Sequence, residues 1–345
     1  MRRLISAAVW AVVGACAVAC MGCDRSEPTV VVYVSADDYV AKPILEAFED
    51  RSGIRVLMVG DTEARKSTGL IERLRREGAA PVADVLWSSE LLGVVSLSRD
   101  GLLAPHVSAD CQDWPPLWRD PEYRWYAFSP RPRVLVYDPE RLHPSECPAE
   151  WADLADPRWR GEIVAADPRY GTTGTHLAAL RWVLGDAWPA WLDALARNEV
   201  RVLPGGNAAC VDAVYRGEAL LGMTDADDVR AANRNGAALA MTLPGHGSGR
   251  GPMLTPNTVA ILQGAPHPAE AAALVDWLLS PDVARRLAAS VSGNVPLHAS
   301  VAMEFPDLAV GSPLPLDAAQ IHAHHGPAVA QAVDAWGGGA NAGGP

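Results

Sequence analysis

The chain has 345 residues, 49% of them apolar and 20% charged, with a formal net charge of −12. That balance describes a folded globular protein, and the length exceeds what one compact core usually holds, so two lobes are expected. The acidity argues against nucleic acid as a partner, because neutralising phosphates requires a basic surface.

Arg2 and Arg3 precede Leu4 to Gly22, a run without charge that ends in the small residues "CAVACMGC". A basic start, an apolar stretch and small residues before a break predict a secretory signal over residues 1–22. An uncleaved membrane helix is the rival reading. The "MGC" ending resembles a bacterial lipoprotein box, which makes Cys23 the lipidated residue, with Cys20 and Cys16 as alternatives, and residues 23–28 a tether. Removing the signal leaves 27 basic residues against 41 acidic ones, a mature charge near −14.

Strands and helices then alternate. "TVVVYVS" reads as a buried strand, "AKPILEAFEDRSG" as an amphipathic helix with a Gly stop, and "IRVLMVG" as a second strand. "STGLIERLRREG", "ADVLWSS" and "LGVVSLSRDGLL" continue as helix, strand and helix. The pattern lapses between Cys111 and Tyr126 and resumes with the strand "RVLVYDP". "EIVAA", the helix "GTTGTHLAALRWVLG" and the strand–loop–helix–strand "VRVLPGGNAACVDAVYRGEALLGMTD" form a second α/β set. "PNTVAILQ" and two helices follow, then one or two helices in "LDAAQIHAHHGPAVAQAVDAW" and a Gly-rich tail. Alternation of this kind predicts an α/β fold with mostly parallel sheets. The expected division is residues 29–125 as a first lobe, 126–242 as a second, 243–300 as a return to the first, 301–336 as C-terminal helices and 337–345 as a flexible tail.

Among the remaining cysteines, Cys111 and Cys147 lie in loop-like surroundings and are candidates to pair in an oxidising compartment, while Cys210 reads as a buried thiol. No Cys/His zinc spacing occurs. His322, His324 and His325 invite a metal reading, but a solvated helix is the simpler one.

The clearest binding signal is "DPRYGTTGTHLAAL", a Gly/Thr loop between a strand and a helix. The first turn of a helix leaves N–H groups unsatisfied and partly positive, so Thr173, Gly174 and Thr175 form an anion seat or, more simply, a Thr cap. Asn207 precedes the next helix after "PGG" and either caps it or reaches a ligand. Acidic residues recur after strand ends: Asp37, Asp61, Glu63, Glu90, and the close group Asp225, Asp227 and Asp228. Several such groups beyond the carboxyl edges of a parallel sheet make a shared cleft plausible. Carboxylate oxygens suit hard cations. No nucleophile–base motif is present, so no enzymatic activity is expected.

The segments "VVVYVSADDYVAKPILEAFEDRSGIRV", "ADVLWSSE", "RVLVYDPERL", "LADPRWRGEIVAADP", "GTTGTHLAALR", "RGEALLGMTDAD" and "AALVDWLLSPDVARRLA" occur in family order, and the chain resembles the periplasmic ferric-iron-binding proteins of bacterial ABC transporters. The resemblance implies a two-lobed, class II solute-binding fold with a ligand cleft between the lobes. It also implies capture of ferric iron or another hard cation with a synergistic anion, phosphate or carbonate, and delivery by a monomeric protein to a membrane permease. The family's anion contacts fall on Thr173, Gly174, Thr175 and Asn207. Its metal histidine falls near Asp37, its metal glutamate near Glu90, its tyrosine pair on Asp227 and Asp228, and the Asn upstream of that pair on Asp225. Carboxylates thus replace both phenolates. Asp61, Glu63 and Tyr170 are further cleft candidates. Related branches take sugar phosphates or aminoalkylphosphonates such as 2-aminoethylphosphonate, which is the alternative reading. A lipoprotein without a transport role is a weaker one.

Overall fold

A computed structural model of the chain describes residues 27–60, 68–112, 114–247 and 249–337. The β-branched run Thr29–Val34 forms β1, whose inward residues are fully buried. It is followed by α1 (Asp38–Ser52), β2 (Arg55–Gly60), α2 (Thr68–Glu77), β3 (Val85–Ser88), α3 (Leu92–Arg99) and the short β4 (Leu103–Ala104). The long β5 (Tyr126–Tyr137) comes next, then β6 (Ile163–Ala166), α4 (Gly171–Leu184), α5 (Trp188–Arg197), β7 (Arg201–Leu203), α6 (Gly206–Tyr215), β8 (Leu221–Asp225), α7 (Ala226–Arg234) and β9 (Ala240–Thr242). The chain ends in β10 (Leu254–Leu262), α8 (Pro268–Leu278), α9 (Pro281–Ala289), α10 (Ala299–Ala302) and α11 (Ala318–Trp336). The C-terminal segment is therefore one helix, which carries Pro327 in its interior.

The strands run in the order β2-β1-β3-β10-β5-β8-β6-β7. β1, β2 and β3 are parallel, as are β6, β7 and β8. The two parallel sets are joined through antiparallel β10 and β5. β5 changes partner in mid-strand: Tyr126 to Pro132 pair with β10, while Arg133 to Val136 pair with β8. It begins seven residues before the run legible in the sequence. Pro130 and Pro132 hide it from pattern reading, although all twelve of its residues are buried. This is the two-lobed, class II binding-protein architecture, with the lobes meeting at β5.

Each set has a core on both faces. Trp87, Phe128 and Val259 pack under α1 and α8 in one lobe. Trp151, Leu180, Trp188 and Leu195 pack under α4, α5 and α11 in the other. Cys111 and Cys147 do not pair: both are free, because Cys111 is buried in the first of these cores while Cys147 packs at the edge of the second. Cys210 is buried and free, as its helical pattern predicts. No helix among the described residues is long and apolar enough to cross a membrane. The signal, Cys23, Asp61 and Glu63 lie outside the described residues.

Candidate binding cleft

Parallel strands deliver their carboxyl ends to one side of a sheet, and the loops that follow them build the cleft. Here Ser35 follows β1, Ser89 follows β3, Asp167 follows β6, Pro204 follows β7 and Asp225 ends β8. All five line one cavity of about 230 Å³. Four helices begin at its wall: α1, α4, α6 and α7. None of the residues that precede these helices, Asp37, Tyr170, Gly205 and Asp225, caps its own helix with its side chain. Gly205 and Gly206 make the sharp entry to α6 with φ of +96° and +74°, a region that L side chains rarely adopt. Convergent helix starts leave partly positive N–H groups facing the cavity, an environment suited to an anion.

Opposing charges lie beside them. Arg131 and Arg133 are two residues apart on β5 and so share one face of the strand. Arg133 is fully buried. Its Nη1 donates to Asp225 Oδ1 at 3.0 Å, Asn207 Oδ1 at 3.0 Å and Thr172 Oγ1 at 3.3 Å, and its Nη2 to Thr173 Oγ1 at 3.1 Å. Asp225 also accepts from Thr172 Oγ1 at 2.8 Å and Asn207 Nδ2 at 3.1 Å, and lies 3.2 Å from Arg131 Nη2. Arg131 Nε is 3.1 Å from Asp227 Oδ2.

The titration of the three aspartates follows from this. Burial pushes Asp225 upward, but Arg131 and Arg133 outweigh it and hold the carboxyl below its usual range. Burial raises Asp227 to about 6, with Arg131 opposing and Asp225 and Asp37 adding to the rise. Asp228 is raised well above its ordinary value by burial and by Asp227 and Asp225. His176, behind Arg133, is held neutral by burial and by that guanidinium, and accepts from Arg133 Nε at 3.4 Å.

The cavity brings together Asp37, Tyr170, Thr173, Asn207, Asp225, Asp227 and Asp228. Three expected residues lie elsewhere. Glu90 is turned away from the cavity and holds the start of α3, accepting from Leu92 N–H and Gly93 N–H at 2.7 Å each. Thr175 faces Glu90 at 3.5 Å. Gly174 is dictated by packing rather than by a ligand: a Cβ there would meet Pro168 O at 2.5 Å and His325 Nε2 at 2.9 Å. Of the expected anion contacts, Thr173 and Asn207 line the cavity, with Thr172 beside them. The three C-terminal histidines do not converge. His322 bonds Arg99 at 2.9 Å, His324 bonds Arg181 at 2.5 Å, and His325 lies against Gly174. Among the described residues, the group with metal-ligand spacing is Asp225, Asp227 and Asp228, with one oxygen from each within 4.8 Å of the others.

Arg131 and Arg133 are the residues that sequence reading missed. Their signal is visible in "SPRPRVLVY": two arginines at period two inside a run otherwise fit for burial. A buried charge needs a partner, so such a pair points to carboxylates elsewhere in the chain.

Residues 80–318 match the family described as bacterial extracellular solute-binding protein. Iron uptake protein A1 of Synechocystis is 27% identical over 270 residues, covering 74% of this chain and 73% of its own. The iron-bound HitA structure from Pseudomonas aeruginosa superposes with a TM-score of 0.78 at 24% identity, covering 89% of this chain and 99% of that one. AfuA from Actinobacillus pleuropneumoniae, solved with exogenous fructose 6-phosphate bound, gives 0.74 at 22% identity over 90% and 99% of the respective chains.

Proposed function

Since the chain belongs to the family of bacterial extracellular solute-binding proteins, we propose that it is the capture component of an ABC importer and holds ferric iron with a small anion between its lobes. The observation that carries this reading is the charge map of the cavity. Arg131 and Arg133 set two positive charges against the four carboxylates of Asp37, Asp225, Asp227 and Asp228. Burial and crowding hold Asp227 and Asp228 toward the neutral form in the empty site, a strain that a cation displacing their protons relieves, and with Asp37 they offer it hard oxygen donors. Asp225 is committed to Arg133 and to its hydrogen bonds, so it shapes the site rather than ligating. The starts of α4 and α6, with Thr172, Thr173 and Asn207, take the anion beside the aspartates on the same lobe, where Thr172 and Asn207 already bond Asp225. Cys23 is the lipid anchor in this reading, and the loaded protein passes its cargo to the permease without chemistry of its own.

One observation favours a second reading. The same map of anion wall and carboxylate wall fits a zwitterion, with a phosphonate at the start of α4 and an ammonium between Asp227 and Asp228. The relative with a sugar phosphate bound gives the organophosphate branch further support. Thermal unfolding decides between them. Fe(III) with phosphate should raise the melting temperature, a ligand at 100 times its Kd adding about 2.7 kcal/mol. A shift with 2-aminoethylphosphonate or glucose 6-phosphate, and none with Fe(III) and any anion, would replace the ferric reading by the second.

A further inference from the structure

The helix that carries the cleft aspartates also reaches across to the first lobe. α7 opens with Asp227 and Asp228, and Arg230 follows Asp227 by three residues, which sets these two on one face of the helix. Arg230 Nη1 donates to Ser292 O at 3.0 Å and to Gly293 O at 2.8 Å. Both carbonyls belong to the segment after α9, whose Val283 and Leu287 are part of the first lobe's core. That segment is tied to β5. Asn294 Nδ2 donates to Ser129 O at 2.9 Å, Val295 N–H to Pro130 O at 2.7 Å, and Ser292 Oγ to Asn294 Oδ1 at 2.6 Å. Gly293 answers two demands there: its φ is +54°, and a Cβ would meet the Arg230 side chain at 3.1 Å. Ser292 and Asn294 line the same cavity as Asp227 and Asp228, so the arginine closes the cavity's edge. Elsewhere between the lobes, Thr175 reaches Glu90 only at 3.5 Å, the outer limit of a hydrogen bond.

We propose that Arg230 is the latch that holds the lobes closed on their cargo and sets how slowly the cargo leaves. The inference deepens the capture reading and rests on it. Hinge closure is common to two-lobed binding proteins. The closing bond assigned here is particular to this chain. It joins a helix of one lobe to a segment of the other, so it exists only in the closed form. A charged donor shared between two carbonyls contributes more than a neutral pair, and opening must break both bonds. The acceptors are neutral, so opening strands no buried carboxylate and the latch can be undone reversibly. Cargo meets the open lobes before the bond is made. Loss of the latch therefore speeds departure and leaves arrival unchanged.

The test follows Fe(III) with phosphate as the probe, uptake from the acetohydroxamate complex and release into excess EDTA being timed separately. Arg230→Gln should release iron about tenfold faster than the wild type. Its uptake rate should stay within about twofold. Arg230→Lys keeps a charged donor of similar reach and should stay within about threefold of the wild-type release rate. Gly293→Ala pushes the guanidinium off its carbonyls, so it should speed release in the wild-type background and add nothing in Arg230→Gln. That variant also decides the matter if Arg230→Gln fails to fold by circular dichroism. Unchanged release from folded Arg230→Gln, or a Gly293→Ala effect that persists in full without the arginine, overturns the latch and leaves the ferric reading standing. A wild type that takes up no iron overturns the ferric reading. Small-angle scattering of the cargo-free proteins then decides the latch: Arg230→Gln should have the larger radius of gyration, and equal radii overturn it.

Discussion

Asp225 shows how a single carboxylate is committed by its surroundings. It sits at the end of β8 directly opposite Arg133 in the antiparallel register, so backbone pairing alone brings the two charges together. Removing one partner of a buried pair leaves the other uncompensated, and Arg133→Met should cost about 3–5 kcal/mol in urea unfolding. A loss below about 1 kcal/mol would mean that Asp225 is neutral in the fold. Its neighbours behave in the opposite way. Asp227 is raised from 3.8 to about 6, chiefly by burial, so the folded protein holds a proton there that the unfolded chain has released. The contribution to stability is present below the unfolded value of 3.8 and is lost as pH rises through about 6. The empty protein should therefore gain stability from this group on acidification across that window, while cation capture weakens by about tenfold per pH unit for each proton that must leave. Asp227→Asn should flatten both slopes. Melting curves and iron titrations across the window check this.

At the scale of elements, two substitutions separate packing from binding. Glu90 anchors the start of α3 through two backbone N–H groups, so Glu90→Ala should lower stability by about 1 kcal/mol and leave ligand affinity within a factor of two. A large loss of affinity would return Glu90 to the cleft. Gly174→Ala drives a methyl into Pro168 O and against His325, and should cost about 1–3 kcal/mol by prising α11 from α4. Gly174 was legible as part of a helix start and Glu90 as an acidic residue after a strand end; neither announced that it meets protein instead of the cavity. The C-terminal histidines teach the same lesson. Their spacing in sequence is close, yet His322 bonds Arg99, His324 bonds Arg181 and His325 packs against Gly174, so each meets a separate neighbour.

For the whole molecule, the shared strands matter most. β5 and β10 form the junction of the two lobes: they pair with each other, β10 pairs with β3 of one parallel set and β5 with β8 of the other. The lobes should therefore unfold together, in one calorimetric transition that moves upward as a unit when ligand binds. Two transitions, with only one displaced by ligand, would show that the lobes are independent. What the sequence by itself determined is local: strands and helices alternate because apolar residues recur at periods of two and about 3.6, the acidity is plain from composition, and a Gly/Thr loop after a strand places Thr173 at a helix start. What only the tertiary structure decided is which charges meet. Arg133 and Asp225 are 92 residues apart, and Arg131 and Asp227 are brought together by the same pairing of β5 with β8. Glu90 lies outside the cleft, while Arg131 lines it and Arg133 is buried behind it, for one reason. Periodicity records how a segment packs on its nearest layer, whereas the partner of a buried charge is set by strand register across the sheet, which no local pattern encodes.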